Sequence, residues 1–314
     1  MSVKTFEHIP VLYREVLEVL DFSPESHLRL IDGTVGGGGH SAELLAKYPE
    51  MELLGIDRDQ NALEAAAKRL EFAGDRVTLV RGNYAELAAL AVEHGWDNVD
   101  AILLDIGVSS PQLDRPERGF SWRFDGPLDM RMDQRSELTA GRWLNRSSES
   151  DLAKAFRDYG EIVQARKLAA AVVARRAEKP FAMTSDLVAL CDEVLGRSRP
   201  GKLPLPTLVF QAVRIAVNDE LKQLETGLRA AHSMLKKGGK MAVISFHSLE
   251  DRIVKNFFRT ESSGCLCPPG LPVCCCGHEP TLRLVVKGAV CAKKDELEKN
   301  PRAACAKLRA AEKI

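Results

Sequence analysis

Three aspartates, each at the end of a short apolar run, are the residues best placed to do chemistry: Asp32, Asp57 and Asp105. If the runs are parallel strands, the carboxylates meet at the carboxyl edge of one sheet, where open α/β sheets bind ligands. Three carboxylates are costly around an anionic dinucleotide and favourable around a ligand with an ammonium and a sulfonium. The pattern favours S-adenosylmethionine as the cofactor, although each aspartate taken singly is typical of a helix N-cap.

A run of glycines, Gly36 to Gly39, stands between the first aspartate and the helical segment 41–47. Glycine lets the backbone approach a ligand closely, and a helix start offers that ligand unpaired N–H groups. The run satisfies the loose dinucleotide pattern at Gly37-x-Gly39-x-x-Ala42, but four successive glycines meet that pattern easily. No Gly-Lys-Ser/Thr follows, which excludes a P-loop, while a nicotinamide oxidoreductase stays open as an alternative.

Strand and helix patterns alternate through the first third of the chain, which predicts a parallel α/β sheet. The strands are predicted at 28–32, 51–57, 76–84 and 100–105. Helical segments without strands follow at 150–158, 162–178 and 185–195, and 200–206 is predicted as a linker. The alternation resumes with a helix at 208–235, a strand at 240–246, a helix at 249–259 and a last antiparallel strand at 306–312.

This organisation predicts two domains. Residues 1–111 and 207–314 form the α/β domain, and residues 112–206 form a small inserted helical domain that we expect to recognise the substrate. No apolar run reaches the roughly 18 residues that cross a bilayer, so we expect a cytoplasmic protein without a membrane partner.

Charge is unevenly distributed along a chain whose net charge is zero. Residues 1–111 carry 9 basic and 19 acidic side chains, residues 112–212 carry 17 and 14, and residues 213–314 carry 18 and 11. An acidic first third repels a polyanion, so a nucleic acid is expected to contact the later two thirds. Solvation of helix faces explains the same charges equally well.

Several longer motifs carry a resemblance to a known family. In chain order they are HIPVL at 8–12, DGTVGGGGH at 32–40, GIDRD at 55–59, DIGVSSPQ at 105–112, RGFSWRFDGPLDMRMD at 118–133, FQAVRIAVN at 210–218 and ISFHSLEDR at 244–252. With these motifs the chain resembles the bacterial 16S rRNA (cytosine-N4)-methyltransferases, the MraW/RsmH family. The resemblance implies a class I (Rossmann-like) methyltransferase domain with an inserted helical domain.

The resemblance also implies a reaction and a cofactor site. S-adenosylmethionine would donate a methyl group directly to N4 of a cytidine in the decoding region of 16S rRNA. The rRNA is expected as a partner within the small ribosomal subunit. The oligomeric state of the protein, monomer or dimer, stays open. The residues that match the family's cofactor contacts are Gly38, Gly39, His40, Asp57, Tyr84, Asp105 and Gln112. Tyr84 stands where the family most often has Phe, and stacking on adenine needs only the ring.

The amine pocket is expected at the loop after the fourth strand, where Asp105 is followed by Ser109, Ser110 and Pro111. An acceptor there would hold the amino hydrogens of the substrate and take up a proton. The alternative for the two serines is ordinary turn chemistry, since serine before proline is common in loops.

Substrate contacts are expected from arginines and aromatics, which suit phosphates and unstacked bases. The candidates are Arg118, Trp122, Arg123, Arg214, Asn218 and His247. The aspartates between residues 114 and 133 favour an internal ion-pair network for most of that stretch. For Arg214 and Asn218 the alternative is a polar helix face exposed to solvent. For His247 the alternative is a helix cap.

Cysteines concentrate near the C-terminus, as Cys265-x-Cys267 and Cys274-Cys275-Cys276. A zinc site formed by Cys265, Cys267, Cys274 and Cys276 is indicated only weakly, because the cysteine pairs that bind zinc usually have the spacing C-x-x-C, and these are C-x-C. Reduced surface thiols are the alternative.

Asn300-Pro301-Arg302 is followed by Ala303-Ala304, without the second arginine typical of the family. A DNA amino methyltransferase and a non-catalytic RNA-binding protein remain the other alternative functions.

Overall fold

The computed structural model describes residues 10–23, 26–196, 201, 203–268 and 273–314. Residues 8 and 9 of the first motif, and 200 and 202 of the predicted linker, lie outside the described residues. The chain divides into two compact units: Met1–Gly107 with Leu221–Ile314, and Val108–Glu220.

The first unit contains one seven-stranded sheet with the order β3-β2-β1-β4-β5-β7-β6. The strands are β1 (Arg29–Asp32), β2 (Glu52–Asp57), β3 (Val77–Arg81), β4 (Val99–Asp105), β5 (Leu235–Ser245), β6 (Leu282–Leu284) and β7 (Lys307–Lys313). The first five strands pair in parallel, and β7 pairs antiparallel with both β5 and β6. The predicted parallel α/β sheet and its last antiparallel strand are confirmed, and the architecture is that of a class I methyltransferase domain with an inserted helical unit.

The helices follow the predicted order with additions. They are α1 (Tyr13–Val19), α2 (Gly39–Lys47), α3 (Gln60–Arg69), α4 (Leu87–Glu93), α5 (Ser110–Asp114), α6 (Ala140–Arg146), α7 (Glu149–Asp158), α8 (Ala165–Glu178), α9 (Thr184–Leu195), α10 (Leu205–Asn218), α11 (Glu220–Met234), α12 (Ser248–Glu261) and α13 (Lys294–Lys299). Within the described residues, no helix combines the length and the apolar character that a membrane crossing requires.

The middle residues of the central strands are apolar because both faces of the sheet are covered. Leu30 and Leu103 lie in the core on one face, whereas Ile31 and Ile102 lie in the core on the other. From β1, the strands β2 and β3 follow on one side of the sheet, and β4 and β5 follow on the other. The strand order therefore reverses between β1 and β4, whose carboxyl ends carry Asp32 and Asp105. Open α/β sheets bind ligands at such a switch point.

The second unit is helical and has a core of its own around Phe156, Leu168 and Phe210. It begins at Val108 and ends at Glu220, so it is longer at both ends than the predicted insertion of 112–206. The unit extends further at its C-terminal end because α10 buries its apolar face in this core.

The single helix predicted at 208–235 is wrong. Asp219 adopts a left-handed backbone (φ 50°) and separates α10 from α11. The apolar spacing continues across this position, which is why periodicity alone does not reveal the break. Because of the break, α10 belongs to the second unit and almost all of α11 to the first.

Candidate functional site

The turn between β1 and α2 is hydrogen-bonded to the carboxyl ends of three neighbouring strands, β1, β2 and β4. Thr34 Oγ1 accepts from the backbone N–H of Asp105 (2.6 Å), and the N–H of Thr34 donates to Asp32 Oδ1 (3.1 Å). Two residues later, the N–H of Gly36 donates to Asp57 Oδ2 (2.9 Å). The three carboxylates predicted from the sequence therefore lie around the turn between β1 and α2.

Two glycines of this turn, Gly38 and Gly39, are closely packed within the protein. Gly38 has a positive φ of 75°, and a Cβ there would lie 3.1 Å from the Leu70 side chain. A Cβ at Gly39, the first residue of α2, would lie 2.7 Å from the ring of Pro10. The cofactor contacts predicted for the two glycines stay a prediction, and the packing adds a second reason for glycine at both positions.

His40 is buried and neutral. Its Nε2 is 2.8 Å from the carbonyl oxygen of Val11, which can only accept, so Nε2 carries the proton and Nδ1 a lone pair. Burial lowers the pKa of the imidazole. Nδ1 lies 3.7 Å from Asp105 Oδ2, a distance too long for a hydrogen bond.

Asp105 is the most perturbed carboxyl of the site. Its Oδ1 is buried and has no hydrogen-bond partner among the residues that the structure describes. Burial raises the pKa of Asp105 to about 7, and the nearby Glu250 carboxylate adds to the rise. An acceptor atom left unpaired in this way is unusual in a folded protein and indicates a ligand that pairs with it.

The other two aspartates are engaged to different degrees. Asp32 accepts from Ser41 Oγ (2.6 Å) as well as from Thr34, and burial raises the pKa of Asp32 to about 6. Asp57 accepts backbone N–H groups from Gly36 and Asp59, the latter at 2.8 Å, and burial raises its pKa too. Each carboxylate oxygen has further lone-pair capacity, so the half-buried Asp57 still suits a ribose diol.

Sequence reasoning missed Thr34, Ser41 and Glu250. The sequence offered a signal for Thr34 and Ser41, since both are hydroxyl residues that follow Asp32, at the end of β1, by two and nine positions. Glu250 is fully buried, and its Oε2 accepts from the backbone N–H of Phe246 at 2.9 Å. His247 caps α12, since its Nδ1 accepts from the N–H of Glu250 (3.4 Å), which agrees with the cap alternative.

Tyr84 is packed into the first unit, with its side chain 6 % exposed. A Cβ on Gly227 of α11 would lie only 2.5 Å from a ring carbon of Tyr84. The guanidinium of Arg58 lies 5.8 Å from the ring centroid. The ring thus helps to hold α11 on the sheet, and its stacking on adenine stays a prediction.

In the second unit, Ser109 and Gln112 form a capping box at the start of α5. Ser109 Oγ accepts from the N–H of Gln112 (3.4 Å), and Gln112 Oε1 accepts from the N–H of Ser109 (3.1 Å). Ser110 and Pro111 occupy the first turn of the helix. The turn chemistry weighed for the serines is present, and their part in an amine pocket, like the cofactor contact of Gln112, stays a prediction.

The arginine-rich stretch separates into buried and exposed parts. Arg118 is buried and donates to the carbonyl of Arg131 (3.0 Å), while Arg131 pairs with Asp129 at 2.7 Å. Trp122 is half-buried and donates from Nε1 to Thr207 Oγ1 (2.9 Å). The exposed guanidinium of Arg123 lies 5.8 Å from the Trp122 ring centroid. The internal network is therefore present. Trp122 is half-buried, and the next two residues, Arg123 and Phe124, are exposed.

Arg214 and Asn218 of α10 are engaged within the second unit. Arg214 makes a bidentate pair with buried Glu220, with both N···O distances at 2.8 Å. Asn218 donates to the carbonyl of Met130 (2.8 Å) and accepts from the N–H of Met132 (2.9 Å). These contacts hold the 130–132 segment on α10, a role that the sequence did not predict.

The chain is similar to proteins of one family along nearly its whole length. The model of the MraW methylase family matches residues 5–314. Relatives called Ribosomal RNA small subunit methyltransferase H are 51% identical in Heliobacterium modesticaldum (98% of this chain, 99% of the relative) and 47% identical in Syntrophotalea carbinolica (100% of both). A third, from Carboxydothermus hydrogenoformans, is 46% identical over 98% of each chain.

Replacing Asp105 by Asn is expected to raise thermal stability, and to do so more at higher pH. The folded pKa of about 7 lies above the value of about 3.9 for an unfolded aspartate. Between these values the folded state binds more protons, so the stability of the wild type falls as the pH rises. Thermal unfolding of Asp105→Asn against wild type should show a Tm gain that grows from pH 5 to pH 7 and then levels off. Exposed Asp75→Asn is the control; an equal Tm change at every pH for Asp105→Asn would contradict the prediction.

Asn218→Ala is expected to destabilise the protein by about 1–3 kcal/mol, because it leaves the buried Met132 N–H and the Met130 carbonyl unpaired. Denaturant unfolding measures the change. The matched control is the exposed amide of Gln134, whose replacement by Ala should change stability by less than about 0.5 kcal/mol. Unchanged stability of Asn218→Ala together with weakened RNA binding would instead assign Asn218 to the substrate.

Proposed function

The chain belongs to the MraW methylase family, and on that premise we propose that it methylates N4 of a cytidine in the decoding region of 16S rRNA. The transfer is direct and in line, without a covalent intermediate. The relatives bear a name that specifies small-subunit ribosomal RNA, which supports RNA of this class, within the small ribosomal subunit, as the substrate.

S-adenosylmethionine is the methyl donor, and the site has the charge that such a donor needs. Burial keeps the pKa of Asp32 at about 6 and that of Asp105 at about 7, so both carboxyls bind protons more readily than free aspartate. A cationic ligand compensates buried carboxylates, and a pyrophosphate would oppose them. Asp57 and the backbone of Gly38 and Gly39 are the groups we expect to hold the adenosine part.

The observation that carries the proposal is the unpaired Oδ1 of Asp105. S-adenosylmethionine supplies an electrophilic methyl group when it is bound. Asp105 Oδ1 would accept a hydrogen bond from the exocyclic amine, which directs the nitrogen lone pair out of conjugation with the base. As the new N–C bond forms, the methyl–sulfur bond of the donor would break with its electron pair left on sulfur, and the amine would become cationic. Its N–H bond would then break, and the proton would pass to the Asp105 carboxylate. A pKa of about 7 suits this transfer, since a substantial fraction of Asp105 is ionised near neutral pH and the ionised form can take up the proton.

The second unit supplies groups that suit RNA. A target cytosine must leave any helix before its amine can react, so a stacking surface for an unpaired base is expected. The half-buried Trp122 ring with Arg123 above it, beside Phe124 at 48 % exposure, offers a ring and a cation that contact base and phosphate together. The basic balance of residues 112–314 supports the same assignment.

Methyl transfer to different acceptors tests the proposal. With labelled S-adenosylmethionine, we expect N4-methylcytidine in 16S rRNA, from 30S subunits or free rRNA, after digestion to nucleosides. Asp105→Asn should lower the rate by about 10²-fold or more, and the kcat/KM of the wild type should rise with pH through about 7 because the carboxylate must be ionised. Exposed Asp75→Asn is the control and should match wild type.

Label in DNA only would assign a DNA amino methyltransferase. Binding of NAD in place of S-adenosylmethionine would assign an oxidoreductase, and binding of rRNA without transfer would assign an RNA-binding protein.

Trp122→Ala is expected to weaken RNA binding at least about fivefold, since stacking on one base contributes about 1–3 kcal/mol. The Kd for S-adenosylmethionine should stay unchanged. Trp122→Phe keeps a ring but loses the bond to Thr207, so it should restore most of the RNA affinity. The exposed ring of Phe72 in the first unit is the control. Equal RNA affinity for wild type and Trp122→Ala would remove Trp122 from the substrate surface.

A further inference from the structure

Four thiols come together in the segment between α12 and β6. We call them the cysteine cluster: Cys265, Cys267, Cys274 and Cys276. All four sulfur atoms lie within 4.8 Å of one another. From Cys274, the distances are 3.4 Å to Cys265, 3.9 Å to Cys267 and 3.5 Å to Cys276. A disulfide has a sulfur–sulfur bond of about 2.05 Å, so these are separate thiols.

The spacing of the sulfurs has the dimensions of a metal site. Zinc–sulfur bonds of about 2.3 Å in a tetrahedron place the sulfurs about 3.8 Å apart. The sulfur–sulfur separations of 3.4–3.9 Å in the cysteine cluster are close to that edge length. We propose that the cysteine cluster binds one Zn²⁺ ion in a closed, tetrahedral, structural site.

Backbone N–H groups point at the sulfurs and favour their thiolate form. The N–H of Cys267 is 3.4 Å from Cys265 Sγ, and the N–H of Leu266 is 3.3 Å from Cys276 Sγ. The N–H of Cys275 is 3.4 Å from Cys267 Sγ. Zinc binds thiolates, and hydrogen bonds to ligand atoms orient them and offset their charge.

The C-x-C spacing selects alternate residues of each segment. Cys274 and Cys276 both join the cluster, although Cys275 stands between them. Cys275 approaches Cys267 at 3.8 Å but is not one of the four mutually close thiols. It is therefore the matched control within the same run.

Most described residues of this segment are exposed. Leu266 is 46 % exposed and Val273 is 76 % exposed, so these side chains form no apolar core. Its ends are tied to α12, where His278 Nε2 contacts the carbonyl of Thr260 (2.9 Å) and the N–H of Thr281 donates to the carbonyl of Glu261 (2.8 Å). Short segments without a core are commonly ordered by a structural metal.

The position and ligand set indicate a structural role. The cluster follows the C-terminal end of α12, a helix of 14 residues, about 21 Å long, whose other end adjoins His247. Four protein ligands leave no open coordination position for a substrate or water. Zinc would therefore stabilise the approach to β6 and leave the methyl-transfer groups unaffected.

Metal analysis of the full chain, purified without a metal-affinity step, tests the proposal. We expect one zinc ion per chain, reduced at least tenfold in Cys265→Ser and in Cys276→Ser, and retained in Cys275→Ser. Cobalt in place of zinc should give the visible bands of a tetrahedral thiolate site. Removal of zinc by a chelator should lower the Tm and expose residues 262–281 to proteolysis.

A titration of the wild type keeps the test independent of whether variants fold. Stepwise modification of thiols by a mercurial should release the zinc as four thiols of the cysteine cluster react. Metal-free protein with rapidly reacting thiols, disulfides within the cluster, or zinc lost from Cys275→Ser but retained in Cys265→Ser would each overturn the proposal.

Discussion

Hydrogen bonds join the turn after β1 to the carboxyl ends of β2 and β4, and the arrangement of the site in the first unit depends on them. Thr34 accepts the backbone N–H of Asp105, and Gly36 donates to Asp57. These bonds bring carboxylates together at the switch point of the sheet, where they are buried or half-buried. The cost of that burial is visible in the raised pKa values of Asp32 and Asp105. A site that holds partly protonated carboxyls is less stable above neutral pH and is ready for a cationic ligand.

A different constraint organises the second unit. The left-handed backbone of Asp219 ends α10, so the apolar face of that helix completes the helical core. Asn218 then holds the 130–132 segment, and Arg214 pairs with Glu220. Arg214 and Asn218 thus stabilise the second unit, and their contact with substrate stays a prediction. The half-buried Trp122 and the exposed Arg123 are the pair that we propose contacts RNA.

The sequence predicted the parts that depend on local pattern. Alternating strands and helices, the antiparallel last strand and the strand-end aspartates follow from apolar periodicity and from where each run stops. The helix at 208–235 was wrong because periodicity carries no sign of the left-handed residue at Asp219. The C-x-C spacing gave only a weak indication, because which sulfurs meet depends on how the segment folds back.

By itself, the sequence determined the family, the α/β class and the residue types at the carboxyl edge, since long ordered motifs and strand endings are local properties. Only the tertiary structure decided which polar groups are already paired. Asp32, Arg214 and Asn218 find partners inside their own unit, whereas Asp105 Oδ1 has none among the described residues. Burial and pairing depend on contacts between distant parts of the chain, and local sequence patterns do not reveal those contacts.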